Sequence, residues 1–244
     1  MLNFLKKDKE ISSKEDYDMY LKKANKQDVP YGFNNKYANQ EEKLYQIFGA
    51  CYNFNKSLKL IVISDTHNDL NFNEFKRFVH KHNNYDICIL LGDHSSNDIE
   101  KILKCIDKTK IYGLLGNHDK NYLKEYNIKS LNGQVININD ISLLGIEGSY
   151  KYKPEDFPSF TQKESIDFLS DKPKVDILVS HDNRFDSSKK EDVAHQGLFG
   201  ITYYLYKNKI PYHIHGHIHK SYKNILKNDT KEISVYMYEY IELK

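Results

Sequence analysis

Short apolar runs alternate with amphipathic segments along most of the chain. Runs that predict buried strands lie at 58–64, 86–91, 110–115, 134–138, 141–146, 175–180, 210–215 and 234–243. Apolar residues at helical spacing predict helices over about 71–82, 97–106, 161–170 and 195–207. Strand, helix and strand of these lengths predict parallel pairing through right-handed crossovers, whereas the two-residue link Asn139-Asp140 predicts a tight hairpin. The fold class that this pattern indicates is α/β.

Residues 1–57 follow a different pattern. Tyr17, Leu21 and Ala24 recur at helical spacing, and a second short helix is expected over 40–48. The segment carries no recognisable chemistry. We therefore expect a helical N-terminal extension, 1–57, ahead of a main domain, 58–244. The extension is interpreted as a packed or dimerising appendage, which would allow a homo-oligomer; the alternative is a lid over the substrate.

Polar side chains follow five of the predicted strands, at the point where each strand ends. In chain order they are Asp65 and His67, then Asp93, then Asn117, His118 and Asp119, then His181, and finally His217 and His219. In open α/β sheets, ligand sites lie beyond the carboxyl ends of the strands. Each of these short motifs is weak by itself, because a histidine or aspartate in a loop is commonplace. Five in order, each at a strand end, predict one shared site.

The kinds of donor atom indicate two metal ions rather than one. Two carboxylates, four imidazoles and an amide oxygen are too many for a single tetrahedral zinc. They suit two divalent ions bridged by one carboxylate. Oxygen and imidazole donors without a thiolate favour manganese, iron or zinc over calcium. We expect Mn²⁺, with iron, zinc or nickel as alternatives. The positive charge that two aspartates leave on two such ions suits an anionic phosphoryl group.

Composition restricts the partners and the compartment. The net charge is +2, with 36 basic and 34 acidic residues mixed along the chain. No basic stripe of the kind that dominates nucleic-acid affinity is present, which argues against a long polynucleotide without excluding it. No apolar run approaches the roughly 18 residues of a membrane span. Three cysteines without a CxxC spacing, and a start too polar for a secretory signal, predict a cytoplasmic protein.

In this order the motifs resemble the signature of the calcineurin-like metallophosphoesterases, which is DxH, GDxx[DR], GNH[DE], a histidine and GHxH. The resemblance covers residues 60 to about 220, and "GNHD" and "GHIH" are its most specific parts. It implies two packed mixed β-sheets flanked by helices, in four α-β-β-α layers. It also implies a ligand set: Asp65, His67 and His219 for the first metal, Asn117, His181 and His217 for the second, and Asp93 bridging them.

The mechanism that the resemblance implies is in-line attack on phosphorus by a metal-activated hydroxide. His118 would act as the general acid that protonates the leaving oxygen. Asp119 would orient its loop or that imidazole, or serve only as a loop cap. One position departs from the family pattern, because Ser96 stands where many members have Asp or Arg. Either another acid supports His118, or its imidazole is tuned differently.

Three further residues are candidate substrate contacts: Arg184, His94 and His195. A guanidinium matches a phosphate with two hydrogen bonds, and Arg184 follows His181 by three residues. The alternative for Arg184 is a salt bridge to Asp182, Asp186 or a neighbour. Packing is the alternative for both histidines.

The histidines inside the last strand before "GHIH", His213 and His215, are expected in the core or behind the ligands. The resulting prediction is a phosphoesterase that hydrolyses a small phosphomonoester or phosphodiester, such as a nucleotide. The alternatives are a cyclic-nucleotide phosphodiesterase or a nuclease that uses the same site, or a non-catalytic metal-binding interaction module.

Overall fold

The computed structural model of the chain describes residues 11–244, so the first ten residues of the predicted extension lie outside it. The helices are α1 Lys14–Ala24, α2 Glu41–Phe48, α3 Phe72–Lys81, α4 Ser96–Leu103, α5 Tyr122–Glu125, α6 Gln162–Ser170 and α7 Phe199–Asn208. The strands are β1 Leu58–Ser64, β2 Ile87–Leu90, β3 Ile111–Gly113, β4 Lys129–Ser130, β5 Val135–Ile138, β6 Ile141–Ile146, β7 Ser149–Tyr150, β8 Ser159–Phe160, β9 Ile177–Ser180, β10 Tyr212–His215, β11 Tyr222–Ile225, β12 Lys231–Ser234 and β13 Met237–Leu243.

Two large mixed sheets form the centre of the molecule. Sheet one has the strand order β13-β1-β2-β3-β4, and its strands are parallel except for β13. Sheet two has the order β11-β12-β10-β9-β6-β5, with four parallel strands between two antiparallel edges. The short strands β7 and β8 pair separately. The predicted α/β class with two packed mixed sheets is confirmed.

Three apolar cores hold these sheets in four layers. The inner core lies between the sheets and includes Leu60 and Ile89 of sheet one with Val179 and Ile214 of sheet two. The outer face of sheet one is covered by α3 and α4, as the helical spacing predicts. Helices α6 and α7 cover the outer face of sheet two. Because alternate residues of a strand point to opposite faces, strands buried on both faces are apolar almost throughout.

The described part of the N-terminal segment belongs to the helical layer over sheet two. Tyr17 of α1 stacks on Tyr203 of α7 with ring centroids 5.8 Å apart. Tyr37 stacks on Phe199 at 4.6 Å, and Leu44 of α2 lies in the same buried cluster. The apolar side of both helices is therefore covered by α7 of the same chain. Association of two copies through this segment stays a prediction.

Two predicted elements differ from the observed ones. The strand predicted at 234–243 begins at Met237 as β13 in sheet one, with Met237 at a positive φ of 65°. Strand β12 in sheet two is not among the predicted strands, because Lys231 and Glu232 interrupt its apolar pattern. The helix predicted from residue 195 begins at Phe199, after a 3-10 turn at Val193–His195. Within residues 11–244, no helix is both long enough and apolar enough to cross a bilayer.

Candidate metal centre

The loops that follow the parallel strands of both sheets meet at one edge of the sandwich. The Asp65 N–H donates to the Gly92 carbonyl (3.0 Å), which ties the loop after β1 to the loop after β2. The His217 N–H donates to Asp65 Oδ2 (2.9 Å), which joins sheet two to sheet one. All seven residues predicted as metal ligands are brought together at this edge.

The first group consists of Asp65, His67 and His219. The Nε2 atoms of the two imidazoles lie 3.2 Å apart, and His219 Nε2 lies 3.5 Å from Asp65 Oδ1. Both histidines are exposed, whereas Asp65 is buried. Burial alone would raise the pKa of Asp65, but the His219 and His181 rings and the Ser64 hydroxyl outweigh it and hold this pKa well below its usual range. Asp65 therefore carries an ionised carboxylate at the open side of the site.

The second group is buried and consists of His181, His217, Asp93 and Asn117. His181 donates from Nδ1 to the Leu91 carbonyl (3.0 Å), so its Nε2 carries the lone pair. That nitrogen faces Asn117 Oδ1 at 2.9 Å. His217 donates from Nε2 to the Ala194 carbonyl (3.1 Å), which leaves its Nδ1 as the ligand atom. Backbone acceptors that fix the tautomer in this way are typical of metal-binding histidines.

Asp93 lies between the two groups. Its Oδ2 is 3.6 Å from His67 Nε2 and 3.6 Å from His181 Nε2. Its Oδ1 accepts the His118 N–H (2.8 Å). Asp93 Oδ2 is thus equally distant from one imidazole of each group. A carboxylate that bridges two metal ions would occupy such a position.

The donor set fits divalent metal ions. Asp65 Oδ1 and Asp93 Oδ2 are buried and accept no hydrogen bond within residues 11–244. His181 Nε2 lies 2.9 Å from Asn117 Oδ1 and 3.6 Å from Asp93 Oδ2. Buried acceptors that converge in this way are costly unless a cation lies among them. Their number and separation accommodate two ions.

The backbone of the site is strained. Five of the seven residues have a positive φ: Asp65 (53°), His67 (43°), Asp93 (59°), His217 (66°) and His219 (51°). Residues with a side chain rarely adopt this conformation, which costs roughly 1–2 kcal/mol each. Such strain persists where the surrounding structure requires it, and it is concentrated at functional sites.

Two glycines allow the ligand loops to approach one another. A Cβ on Gly216 would lie 2.7 Å from Asp65 Oδ2 and would overlap Ser64 Oγ. A Cβ on Gly116 would lie 2.6 Å from Asp93 N and would overlap Asp93 Oδ1. Glycine is therefore required at both positions by close packing against a ligand residue.

Asp119 ties two of these loops together. Its carboxylate accepts the backbone N–H groups of Asp93 (2.7 Å), His94 (2.9 Å) and Gly116 (2.7 Å). Burial raises the pKa of Asp119 to about 6, against these hydrogen bonds. The contacts are those of a residue that orients the loops, which is one of its predicted roles.

His118 lies at the mouth of the site. Its ring is exposed and is centred 5.6 Å from the His67 ring. Together with His67, Asp93 and His94 it lines an open pocket of about 240 Å³. Ser96 is exposed at the start of α4, and the His118 ring makes no hydrogen bond to the part of the chain that the structure describes.

The three predicted substrate contacts lie in different surroundings. His94 is buried, with Nδ1 3.0 Å from Thr66 Oγ1 and its ring against Tyr122. It nevertheless lines the same pocket as His118. His195 is half-buried, pairs with Asp192 and lies 4.7 Å from the His217 ring centroid. Both histidines border the metal centre.

Arg184 does not lie free at the site. Its Nη1 is 2.5 Å from Glu41 Oε1 and its Nε is 2.9 Å from Glu232 Oε1. The salt-bridge alternative therefore describes the structure, with partners other than the predicted Asp182 and Asp186. The expectation of a free guanidinium for substrate phosphate is corrected, because both ion pairs engage Arg184 within the protein.

Two acidic residues near the histidines were not predicted as part of the site. Asp182 is fully buried, accepts the N–H groups of Tyr150 (2.8 Å) and Asn183 (2.9 Å), and lies 3.8 Å from His217 Nε2. Burial raises its pKa to about 7. Its only sequence signal is its place after His181. Glu232 lies on β12, which is not among the predicted strands, so it has no local signal.

Comparison with known proteins agrees with this arrangement. The family model described as calcineurin-like phosphoesterase matches residues 58–221. Among curated proteins no match is found. The phosphopantetheinyl hydrolase of Mycobacterium tuberculosis is similar in structure, with a TM-score of 0.54, 12% identity and coverage of 74% of this chain and 90% of the other.

Two further solved structures are similar to this chain. A dimetal phosphatase from Danio rerio has a TM-score of 0.50 and 10% identity, over 74% of this chain and 87% of the other. A 5′-nucleotidase precursor from Thermus thermophilus has a TM-score of 0.50 and 12% identity, over 78% of this chain and 51% of the other. At these identities the likeness shows a common fold.

Proposed function

The chain belongs to the calcineurin-like phosphoesterase family, whose members are metal-dependent phosphoester hydrolases, and on that premise we propose that it hydrolyses a small phosphomonoester or phosphodiester such as a nucleotide. The observation that carries the proposal is the position of Asp93 Oδ2, 3.6 Å from an imidazole of each ligand group. A bridging carboxylate at that position suits a site that clamps one phosphoryl group between two ions.

The ligand assignment follows the two groups. Asp65, His67 and His219 are proposed to hold one ion, Asn117, His181 and His217 the other, and Asp93 both. When bound, the two ions would supply Lewis acidity and lower the pKa of a coordinated water. The donor set accommodates Mn²⁺, as well as iron, zinc or nickel.

His118 is proposed to protonate the leaving oxygen of the ester. Its exposed ring lies in the pocket wall beside His67, and its backbone N–H is held by the bridging Asp93. This hydrogen bond anchors the backbone of His118 to the carboxylate that is proposed to bridge the ions. General acid catalysis of this kind contributes about 10²–10⁴-fold in rate.

The size of the pocket and the charge of the chain support a small substrate. The pocket is open and encloses about 240 Å³, and the net charge of +2 is spread over the chain without a basic stripe. Two structural neighbours, a phosphopantetheinyl hydrolase and a 5′-nucleotidase precursor, agree with a small phosphoester as substrate. A cyclic-nucleotide phosphodiesterase or nuclease using the same residues is the alternative. A cytoplasmic location stays a prediction.

Hydrolysis of two aryl esters tests the proposal. We expect metal-free protein to be inactive and added Mn²⁺ to restore cleavage of p-nitrophenyl phosphate or of bis-p-nitrophenyl phosphate. The preferred ester class then directs product analysis over a panel of nucleotides and cyclic nucleotides. If the chain binds two ions and cleaves neither ester nor any nucleotide, a non-catalytic interaction module is the better description.

A further inference from the structure

A third group of metal-ligating side chains lies behind the strand ends. It consists of His213 and His215 on β10 and Glu232 on β12, and one ligand atom from each lies within 4.8 Å of the others. His213 is the register partner of Glu232, so all three side chains share one face of sheet two. Both histidines are 0% exposed and Glu232 is 2% exposed. The proposed phosphoesterase chemistry uses none of them.

The hydrogen bonds fix the tautomers of both histidines. His215 donates from Nδ1 to the Gly216 carbonyl (3.0 Å), so the lone pair is on Nε2. Ser180 donates its hydroxyl proton to the Asp182 carbonyl (2.6 Å) and therefore accepts from His213 Nε2 (2.8 Å). The lone pair of His213 is consequently on Nδ1. A second ring nitrogen anchored on a protein acceptor is the usual arrangement of a metal-binding histidine.

Both lone pairs face the same carboxylate oxygen. Glu232 Oε1 is 3.8 Å from His213 Nδ1 and 3.9 Å from His215 Nε2. Neither Glu232 Oε1 nor His213 Nδ1 has a hydrogen-bond partner within residues 11–244. Neighbouring ligands around a tetrahedral zinc are about 3.3–3.5 Å apart, given bonds of about 2.0–2.2 Å. The observed separations exceed those of the catalytic groups, 3.5–3.6 Å, by only a few tenths of an ångström.

The net charge around this group of side chains is compatible with a divalent cation. Arg184 lies between Glu41 and Glu232, so two carboxylates and one guanidinium give a net charge of −1. Arg184 Nε lies 2.9 Å from Glu232 Oε1, yet neither atom forms a hydrogen bond, so this ion pair is not aligned. One divalent ion would change this net charge to +1. At the catalytic edge, two divalent ions together with Asp65 and Asp93 would give +2, which is also +1 per ion.

We propose that His213, His215 and Glu232 bind one divalent ion of the zinc class, separate from the two catalytic ions. The Tyr222 hydroxyl donates to His215 Nε2 (3.2 Å), and the ion would displace this hydrogen bond. Complete burial marks a structural site, since catalytic zinc sites keep an open position. The ion would join β10 to β12 just before the loop that carries His217 and His219.

An anomalous-difference map of the wild-type chain tests the site directly. Crystals of zinc-loaded protein, measured at the zinc absorption edge, are expected to show a peak between His213 Nδ1, His215 Nε2 and Glu232 Oε1. Elemental analysis of the same protein is expected to give three zinc ions per chain. A water molecule at that position, with no anomalous signal, overturns the proposal, because a water could donate to the same two lone pairs.

Matched variants identify which ion is lost. Glu232→Gln keeps the side-chain shape and is expected to bind one zinc fewer than wild type, with no change in the two peaks at the catalytic edge. Asp93→Asn is expected to keep the buried ion while catalytic occupancy falls. Equal zinc content in wild type and Glu232→Gln contradicts the proposal. If Glu232→Gln fails to fold, the wild-type map decides, and it does so whether or not the chain hydrolyses esters.

Discussion

An aspartate lies at each end of strand β2, and the two carboxylates differ in how far they are hydrogen-bonded. Asp86, before the strand, accepts the Lys59 N–H (2.8 Å) and the Asn139 amide (3.1 Å). Asp93, after the strand, has one oxygen that is buried without a hydrogen-bond partner among the described residues. Asp86 therefore stabilises the fold, whereas Asp93 is poised for a cation.

Strand β9 repeats the contrast. Asp176 precedes it and accepts hydrogen bonds from Ser142, Tyr52 and Lys56. His181 follows it, with Nε2 2.9 Å from Asn117 Oδ1 and 3.6 Å from Asp93 Oδ2. The carboxylates that precede these two strands are hydrogen-bonded within the fold, whereas Asp93 Oδ2, after β2, accepts no hydrogen bond from the described residues.

The largest expected difference is between Asp93→Asn and its matched control, Asp86→Asn. Because Asp93 would serve both ions, and loss of even an outer-shell partner costs about 10–100-fold at one ion, kcat/KM should fall by at least about 10²–10⁴-fold. Asp86→Asn should leave kcat/KM little changed. Steady-state kinetics with Mn²⁺ and metal analysis of both variants provide the measurement. Similar activities in the two variants would break the comparison between the strand ends.

His118→Ala tests whether residues at the catalytic edge divide into those that bind ions and one that donates a proton. The variant should keep both ions, since His118 is not among the proposed ligands. It should lose about 10²–10⁴-fold in kcat on an alkyl phosphate, and much less on p-nitrophenyl phosphate, whose leaving group needs little protonation. The control is His80→Ala, at an exposed position of α3. Wild-type rates of His118→Ala on the alkyl ester would sink the assignment.

The smallest effect is expected at the opposite end of the strands, as a pH-dependent stability. Burial alone would raise the pKa of Asp176, but hydrogen bonds from Ser142, Tyr52 and Lys56 outweigh it and lower this pKa below 3.8. A carboxyl group whose pKa is lowered by folding stabilises the fold at pH values above its pKa in the unfolded chain. This contribution is lost as the pH falls through its pKa in the folded chain. Asp176→Asn should therefore cost about 1–3 kcal/mol at pH 7.

Denaturant unfolding from pH 7 to pH 3 provides the measurement for Asp176. The difference in unfolding free energy between wild type and Asp176→Asn should shrink as the medium becomes more acidic. The control is Glu100→Gln, at an exposed position of α4. A difference that is constant over this range would mean that the charge of Asp176 contributes nothing.

The sequence predicts the ligand edge well because each ligand immediately follows an apolar strand. Once parallel pairing is expected, Asp65, Asp93 and His181 must meet at one edge. The environment of Arg184 has no such signal. Its partners Glu41 and Glu232 come from the N-terminal segment and from β12, and nothing local to "SHDNRFD" indicates either of them. Salt bridges between residues that are far apart in the chain produce no periodic pattern in the sequence.

The roles of His213 and His215 illustrate a different limit. Their place in a strand predicts burial correctly, since both are 0% exposed. Their common face with Glu232 depends on the register of β10 and β12. That register could not be anticipated because β12 is not among the predicted strands. A missed strand thus hid a cluster of side chains rather than the fold.

The pairing of β1 with β13 has a consequence for biosynthesis. Leu58 at the start of β1 is the register partner of Leu243, next to the last residue. Sheet one therefore cannot be completed until β13 has been synthesised, and β1 has an unpaired edge until then. Contacts of such long sequence separation slow folding, and a nascent edge strand is prone to pair with other chains. We therefore expect loss of β13 to expose the edge of β1 and to promote association.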